Sequence, residues 1–136
     1  MARGRVTGGT LVLDSQGLSL YFEQDRTVLN MVRSALDRGA DRVISAATVL
    51  EAQHPGVKRA RREYVLSQLT IQPLLVPWAR EAAQLLADAG LSGHSHALDA
   101  MVAVTALHAE PPIVLLTSDP NDMEQLCGNR VRVLRV

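Results

Sequence analysis

Two short stretches of this sequence, "TLVL" at 10–13 and "IVLL" at 113–116, are apolar without any alternation. A strand with one wet face alternates apolar and polar residues. An unbroken apolar run belongs to a strand buried on both faces, which is the condition of a parallel sheet covered by helices on each side. The segments between such runs read as helices. "SQGLSLYFEQ" and "TVLNMVRSALDRG" follow the first run, the latter with Leu29, Val32 and Leu36 on one face and Gly39 as a stop. "RVIS" is a second strand, "AATVLEAQHPG" a short helix ended by Pro55-Gly56, and "VKRARREYVLSQL" a charged surface helix. "TIQPLL" reads as an edge strand, because Pro73 removes a ladder donor. "PWAREAAQLLADAG" opens on Pro77 and closes on Gly90, and the helix "ALDAMVAVTALHA" follows it. After the run at 113–116, "PNDMEQLCG" is a short helix and "VRVLRV" a last strand. Strands alternating with helices give an α/β fold with a parallel sheet. Residues 1–9 read as a loose polar lead-in and residues 10–136 as one domain.

Composition narrows the setting. The chain has 136 residues, 47% hydrophobic and 21% charged, enough for one core. The formal net charge is zero, so no global field selects a polyanionic partner. Lys58 is the only lysine, and the one cysteine, Cys127, offers no disulfide framework and suits a reducing compartment. No segment approaches the ~20 apolar residues of a membrane span, and "MARGRVTGGTLVLD" is a poor signal peptide. The expectation is a cytoplasmic protein with no membrane contact.

The helix at 97–109 contains the chemical anomaly. It is apolar on nearly every side, yet Asp99 stands in its first turn, facing Val102, Ala103 and Ala106 one turn on. Burying an ionised carboxylate is costly unless it is paired, hydrogen-bonded or bound to metal. Three further acids fall at comparable places. Asp14 ends the first strand, Asp119 lies just past the fourth, and Glu51 sits in the helix after the second, one turn beyond Ala47 and Thr48. Ligands of open parallel sheets bind beyond the carboxyl ends of the strands, where the strand order reverses. If the first and fourth strands are neighbours there, all four carboxylates can converge.

Each acid also has a plain explanation. Asp119 before Pro120 and Asp14 before its helix are good N-caps, Asp99 suits a helix dipole, and Glu51 suits a solvated face. Together they resist it, because no basic residue adjoins any of them in sequence. Clustered carboxylates repel and raise one another's pKa. A divalent cation relieves that, and can activate water for in-line attack at phosphorus. Other α/β chemistries lack their residues. There is no G-x-x-x-x-G-K-[ST] around Lys58, and no G-x-G-x-x-G after the first strand. The paired acid and late lysine of a receiver domain are missing, and Gln16 breaks the D-x-D of a haloacid-dehalogenase phosphatase.

At these four places the sequence resembles a PIN domain, and most of all the small VapC-type ribonuclease toxins of type II toxin–antitoxin systems. "LVLDS" is similar to the first-strand acid with its small hydroxyl neighbour, here Ser15; "ISAATVLEA" to the segment with the helical glutamate; "LDAMVAVTAL" to the D-A-x-[IV]-A-x-x-A pattern; and "LLTSDPNDM" to the T-x-D closing motif. The resemblance implies a three-layer sandwich around a five-stranded parallel sheet in the order 3-2-1-4-5. It makes Asp14, Glu51, Asp99 and Asp119 the catalytic quartet. Asp14 and Asp99 would be the main ligands of Mg2+ or Mn2+, Asp119 would bind directly or through water, and Glu51 would orient water or a second ion. It implies hydrolysis of RNA phosphodiesters, a small antitoxin partner and a homodimer. A non-cleaving PIN-like module that binds RNA or protein is the alternative. Ser15, Thr117 and Ser118 are candidate substrate contacts.

Four features remain beside the quartet. Asp122 competes with Asp119 as a ligand but reads better as part of the last helix's first turn. His94 and His96 in "GHSHAL" read as a solvated loop, their spacing being no zinc motif. "KRARR" either contacts phosphate through Arg59, Arg61 and Arg62 or is a solvated face. Trp78 reads as packing at a helix start.

Overall fold

The computed structural model describes residues 8–52 and 55–136; most of the expected lead-in, and Gln53 and His54 in the expected third helix, lie outside the described residues. Five strands form one sheet: β1 (Thr10–Leu13), β2 (Asp41–Ser45), β3 (Thr70–Gln72), β4 (Ile113–Thr117) and β5 (Arg132–Arg135). All pairings are parallel and the order is β3-β2-β1-β4-β5. Thr10 is in register with Asp41 on one side and Ile113 on the other. The chain therefore reverses direction across the sheet between β1 and β4, and the crevice at their carboxyl ends is the switch point.

The helices are α1 (Ser15–Phe22), α2 (Arg26–Asp37), α3 (Ala46–Glu51), α4 (Arg59–Ser67), α5 (Val76–Ala89), α6 (Gly93–Leu107) and α7 (Pro120–Cys127), with a 3-10 turn at Gly128–Arg130 before β5. They cover both faces, which makes the three-layer sandwich. The unbroken apolar runs explain why. Within β1, Val12 packs into one core with Leu86, Ala103 and Met123. Leu11 and Leu13 point the other way, into a second core with Leu18, Phe22, Val28 and Val65. Every residue of β1 is buried, so no alternation is possible.

Local signals set most boundaries. Asp25 and Ser45 cap α2 and α3 by accepting from the N–H of Val28 and Ala47. Gly90, at φ 67°, ends α5 in the left-handed conformation expected of a terminal glycine. Trp78 stacks on His108 with ring centroids 4.4 Å apart, so it packs at its helix start as expected. Cys127 is buried and free.

Most elements differ from the sequence expectation by a residue or two at an end, and three boundaries differ in ways that matter here. β3 stops at Gln72, because Pro73 cannot donate to the ladder. α3 ends at Glu51, ahead of Pro55-Gly56. α6 begins at Gly93, capped by Ser92, so "GHSH" belongs to the helix and is no loop. Among the described residues no helix is long and apolar enough to cross a membrane.

Candidate metal centre

The site is assembled from the end of β1, the C-terminal end of α3, α6 beyond its first turn and the start of α7. Because α6 begins at Gly93, Asp99 does not stand in the first turn as the sequence suggested. Asp14 follows β1 and is almost fully buried, at 6% exposure. Its Oδ1 accepts from the N–H of Gly17 at 2.9 Å, and its Oδ2 accepts from the N–H of Ser118 at 3.2 Å. The capping reading of Asp14 is thus correct, and the same carboxylate ties the end of β1 to the turn after β4. Gly17 permits the close approach. A Cβ there would stand 3.3 Å from Leu13 Cβ and 3.4 Å from the Leu116 carbonyl oxygen.

Asp119 occupies the N-cap position of α7, but its side chain makes no capping bond. Instead its N–H donates to Thr117 Oγ1 at 2.9 Å, and its carboxyl shares a hydrogen bond with Asp122 that pushes its pKa upward. The neighbouring carboxyl of Asp122 thereby disfavours the charged form of Asp119. Asp122 lies in the first turn of α7, and its Oδ2 is 3.1 Å from Nε2 of His96.

Asp99, half-buried on α6, is where these elements meet. Its carboxyl is pushed up from an ordinary 3.8 to about 6. Burial is the first cause; the charges of Glu51 and Asp119 follow, Asp122 adds to them, and His96 opposes them. The carboxylate on this otherwise apolar helix thus has acids at α3 and α7 as its charged neighbours.

His96, Asp99 and Asp122 each bring one ligand atom within 4.8 Å of the other two, and among the described residues no other set of three or more His, Cys, Asp or Glu does so. Two carboxylates and an imidazole are a sound donor set for a divalent cation. Glu51 and Asp119 act on Asp99 by their charge without belonging to the trio, and Asp14 is instead tied to Gly17 and Ser118. Both trio members that the sequence reading set aside, His96 and Asp122, carried a usable signal. His96 precedes Asp99 by three positions, which is one face of a helix, and this becomes visible once Ser92 is recognised as the cap.

The remaining candidates divide clearly. Thr117 is fully buried with its hydroxyl accepting from Asp119, so it shapes the turn. Ser15 opens α1, and Ser118 is exposed, its carbonyl accepting from Arg135 at 3.3 Å. In "KRARR", Arg61 donates to the carbonyls of Tyr21 and Phe22, and Arg62 donates to that of Val49. Both bind the chain itself at the end of α1 and in α3.

No family profile and no curated protein sequence matches the chain. Solved structures do. VapBC2 from Rickettsia felis, bound to a DNA fragment from its promoter, superposes with a TM-score of 0.70 at 14% identity over 93% of this chain and 98% of that one. FitAB bound to IR36 DNA gives 0.64 at 23% identity over 92% and 94% of the two chains. FitAcB from Neisseria gonorrhoeae gives 0.61 at 20% identity over 91% and 96%. At these identities the likeness speaks to the fold, which is the PIN-like α/β architecture that the four motifs resemble.

Proposed function

We propose that this protein is a metal-dependent endoribonuclease and the toxin of a toxin–antitoxin pair. The observation that carries the reading is the convergence on Asp99 of Glu51, Asp119 and Asp122 at the carboxyl edge of a PIN-like sheet. Acids drawn from separate elements without a lysine or arginine among the charges acting on Asp99 are costly to the fold, and a bound cation repays that cost. The toxin role, with an antitoxin as partner, draws on the similarity to VapBC2, FitAB and FitAcB.

In this reading Asp99 and Asp122 hold Mg2+ or Mn2+, with Asp14 and Asp119 beside them. The cation supplies charge neutralisation at phosphorus and activation of water for in-line attack. Glu51, exposed at the end of α3, orients the attacking water and takes its proton. Asp14 fixes the turn at Ser118, whose exposed hydroxyl and the adjacent Arg135 are placed to meet substrate phosphate. The products are a 5′-phosphate and a 3′-hydroxyl. The working form is a cytoplasmic homodimer, and the antitoxin covers the acid edge.

The test is cleavage of a mixed RNA substrate by the purified protein with Mg2+, with Mn2+ and with EDTA, beside Asp99→Asn. Cutting that needs metal and falls at least 100-fold in Asp99→Asn is the expected result. Equal cutting by a well-folded Asp99→Asn variant overturns the assignment.

A further inference from the structure

We infer that His96 is a nitrogen ligand of this centre, which biases it toward a first-row transition ion such as Mn2+ over Mg2+. The inference rests on the metal-site reading above and adds a donor to it.

Two independent contacts of the imidazole point to ligation. Its Nδ1 lies 3.3 Å from the backbone carbonyl of Ser92. A carbonyl only accepts, so Nδ1 carries the proton and donates. The ring is thereby fixed with Nε2 as the nitrogen presented to the carboxylates. A ligating histidine is oriented in this way when its second nitrogen donates to a backbone carbonyl and its first faces the metal.

The second contact is the 3.1 Å separation of Nε2 from Asp122 Oδ2. Donors at ~2.1 Å from one octahedral ion, at right angles to each other, are about 3 Å apart. The pair therefore already has the spacing of adjacent ligands, with an Asp99 oxygen within 4.8 Å of both. His96 also departs from helical geometry, at φ −126° and ψ 15° inside α6, at the point where its ring meets α7. Asp122 and Asp99 alone would make an all-oxygen site suited to Mg2+. Replacing one oxygen or water by imidazole moves the preference to ions that bind nitrogen well.

The experiment is pulsed electron paramagnetic resonance of Mn2+ bound to the metal-free purified protein, with calorimetric titration by Mn2+ and Mg2+. Wild type, His96→Gln and Asp99→Asn are compared. The expected result is a directly coordinated 14N signal in wild type that disappears in His96→Gln. Mn2+ affinity should fall about tenfold or more in that variant, with Mg2+ affinity changed less than about threefold. The wild-type spectrum carries the test even if a variant folds poorly. Mn2+ bound in an Asp99-dependent manner without 14N coupling overturns the His96 assignment and leaves the metal site standing. Coupling that persists in His96→Gln also overturns it, because another nitrogen is then the ligand. Absence of Mn2+ binding, or binding indifferent to Asp99→Asn, overturns the metal site and the inference together.

Discussion

The acids of this site are not equivalent, and their hydrogen bonds say why. Asp14 accepts two backbone N–H bonds from opposite sides, one from α1 and one from the turn after β4. These two bonds serve the fold whether or not a cation is present. Asp99, by contrast, is held half-buried among Glu51, Asp119 and Asp122, and its ionised form is opposed by all of them. Neutral isosteres should separate the two roles. Asp14→Asn turns one acceptor into an NH2 facing an N–H donor, which leaves a buried donor unmatched at a cost of about 1–3 kcal/mol. Its melting temperature should fall by several degrees. Asp99→Asn removes a charge that disfavours the folded chain, so its melting temperature in EDTA at pH 7.5 should equal or exceed wild type. Thermal denaturation of both variants in EDTA checks the contrast, and a lower melting temperature for Asp99→Asn than for Asp14→Asn would contradict it.

At the scale of elements, α4 supports α1 more than it serves a ligand. Arg61 donates to the Tyr21 and Phe22 carbonyls at the C-terminal end of α1, 3.1 and 3.4 Å away. Its guanidinium also lies within 6 Å of the ring centroids of Tyr21 and Tyr64. Arg61→Ala should therefore cost about 1–2 kcal/mol of stability while leaving RNA cleavage within about twofold of wild type below the melting transition. Denaturant unfolding beside a cleavage assay checks this, and a large loss of cleavage with unchanged stability would return "KRARR" to the phosphate-binding reading. The contrast shows what sequence patterns can and cannot carry. A run of arginines reads the same whether its guanidiniums face water or a helix end, since the difference lies in α1, elsewhere in the chain. Apolar runs and stops are local, so β1, β4, and the Pro77 and Gly90 ends of α5 were legible. Of the four acids expected to converge, Glu51 and Asp119 act by charge on Asp99, while Asp14 bonds to the N–H groups of Gly17 and Ser118. For His96 only its spacing of three from Asp99 behind the Ser92 cap was legible; its contact with Asp122 was not, because that partner arrives from α7.

For the whole molecule, the acid site couples folding to pH and, in the proposed reading, to metal, and the sign follows from Asp99. Its folded-state pKa is raised from an ordinary 3.8 to about 6, so between those values the folded chain holds a proton that the unfolded chain releases. Stability therefore declines as pH rises through that window, and the full penalty is present above about pH 6. The upward shift of Asp119, caused by its hydrogen bond with Asp122, acts in the same direction. Because Asp99 is half-exposed, solvent screening reduces its contribution to about 1 kcal/mol, or a few degrees of melting temperature. Subtracting the Asp99→Asn curve removes the titration of every distant group. In EDTA, wild type should match the variant near pH 4 and fall below it by pH 7.5. If the proposed site is right, a saturating divalent cation binds the ionised carboxylates of the folded chain alone and raises its stability by about 2.7 kcal/mol at 100 times the dissociation constant. Protons compete for the same oxygens, so the metal-induced rise should be larger at pH 7.5 than at pH 5.5 and should be small in Asp99→Asn at either pH. Melting curves for both proteins at three pH values, with and without Mn2+, test the whole scheme. A metal-induced rise that is equal at pH 5.5 and 7.5 would place the bound ion away from Asp99.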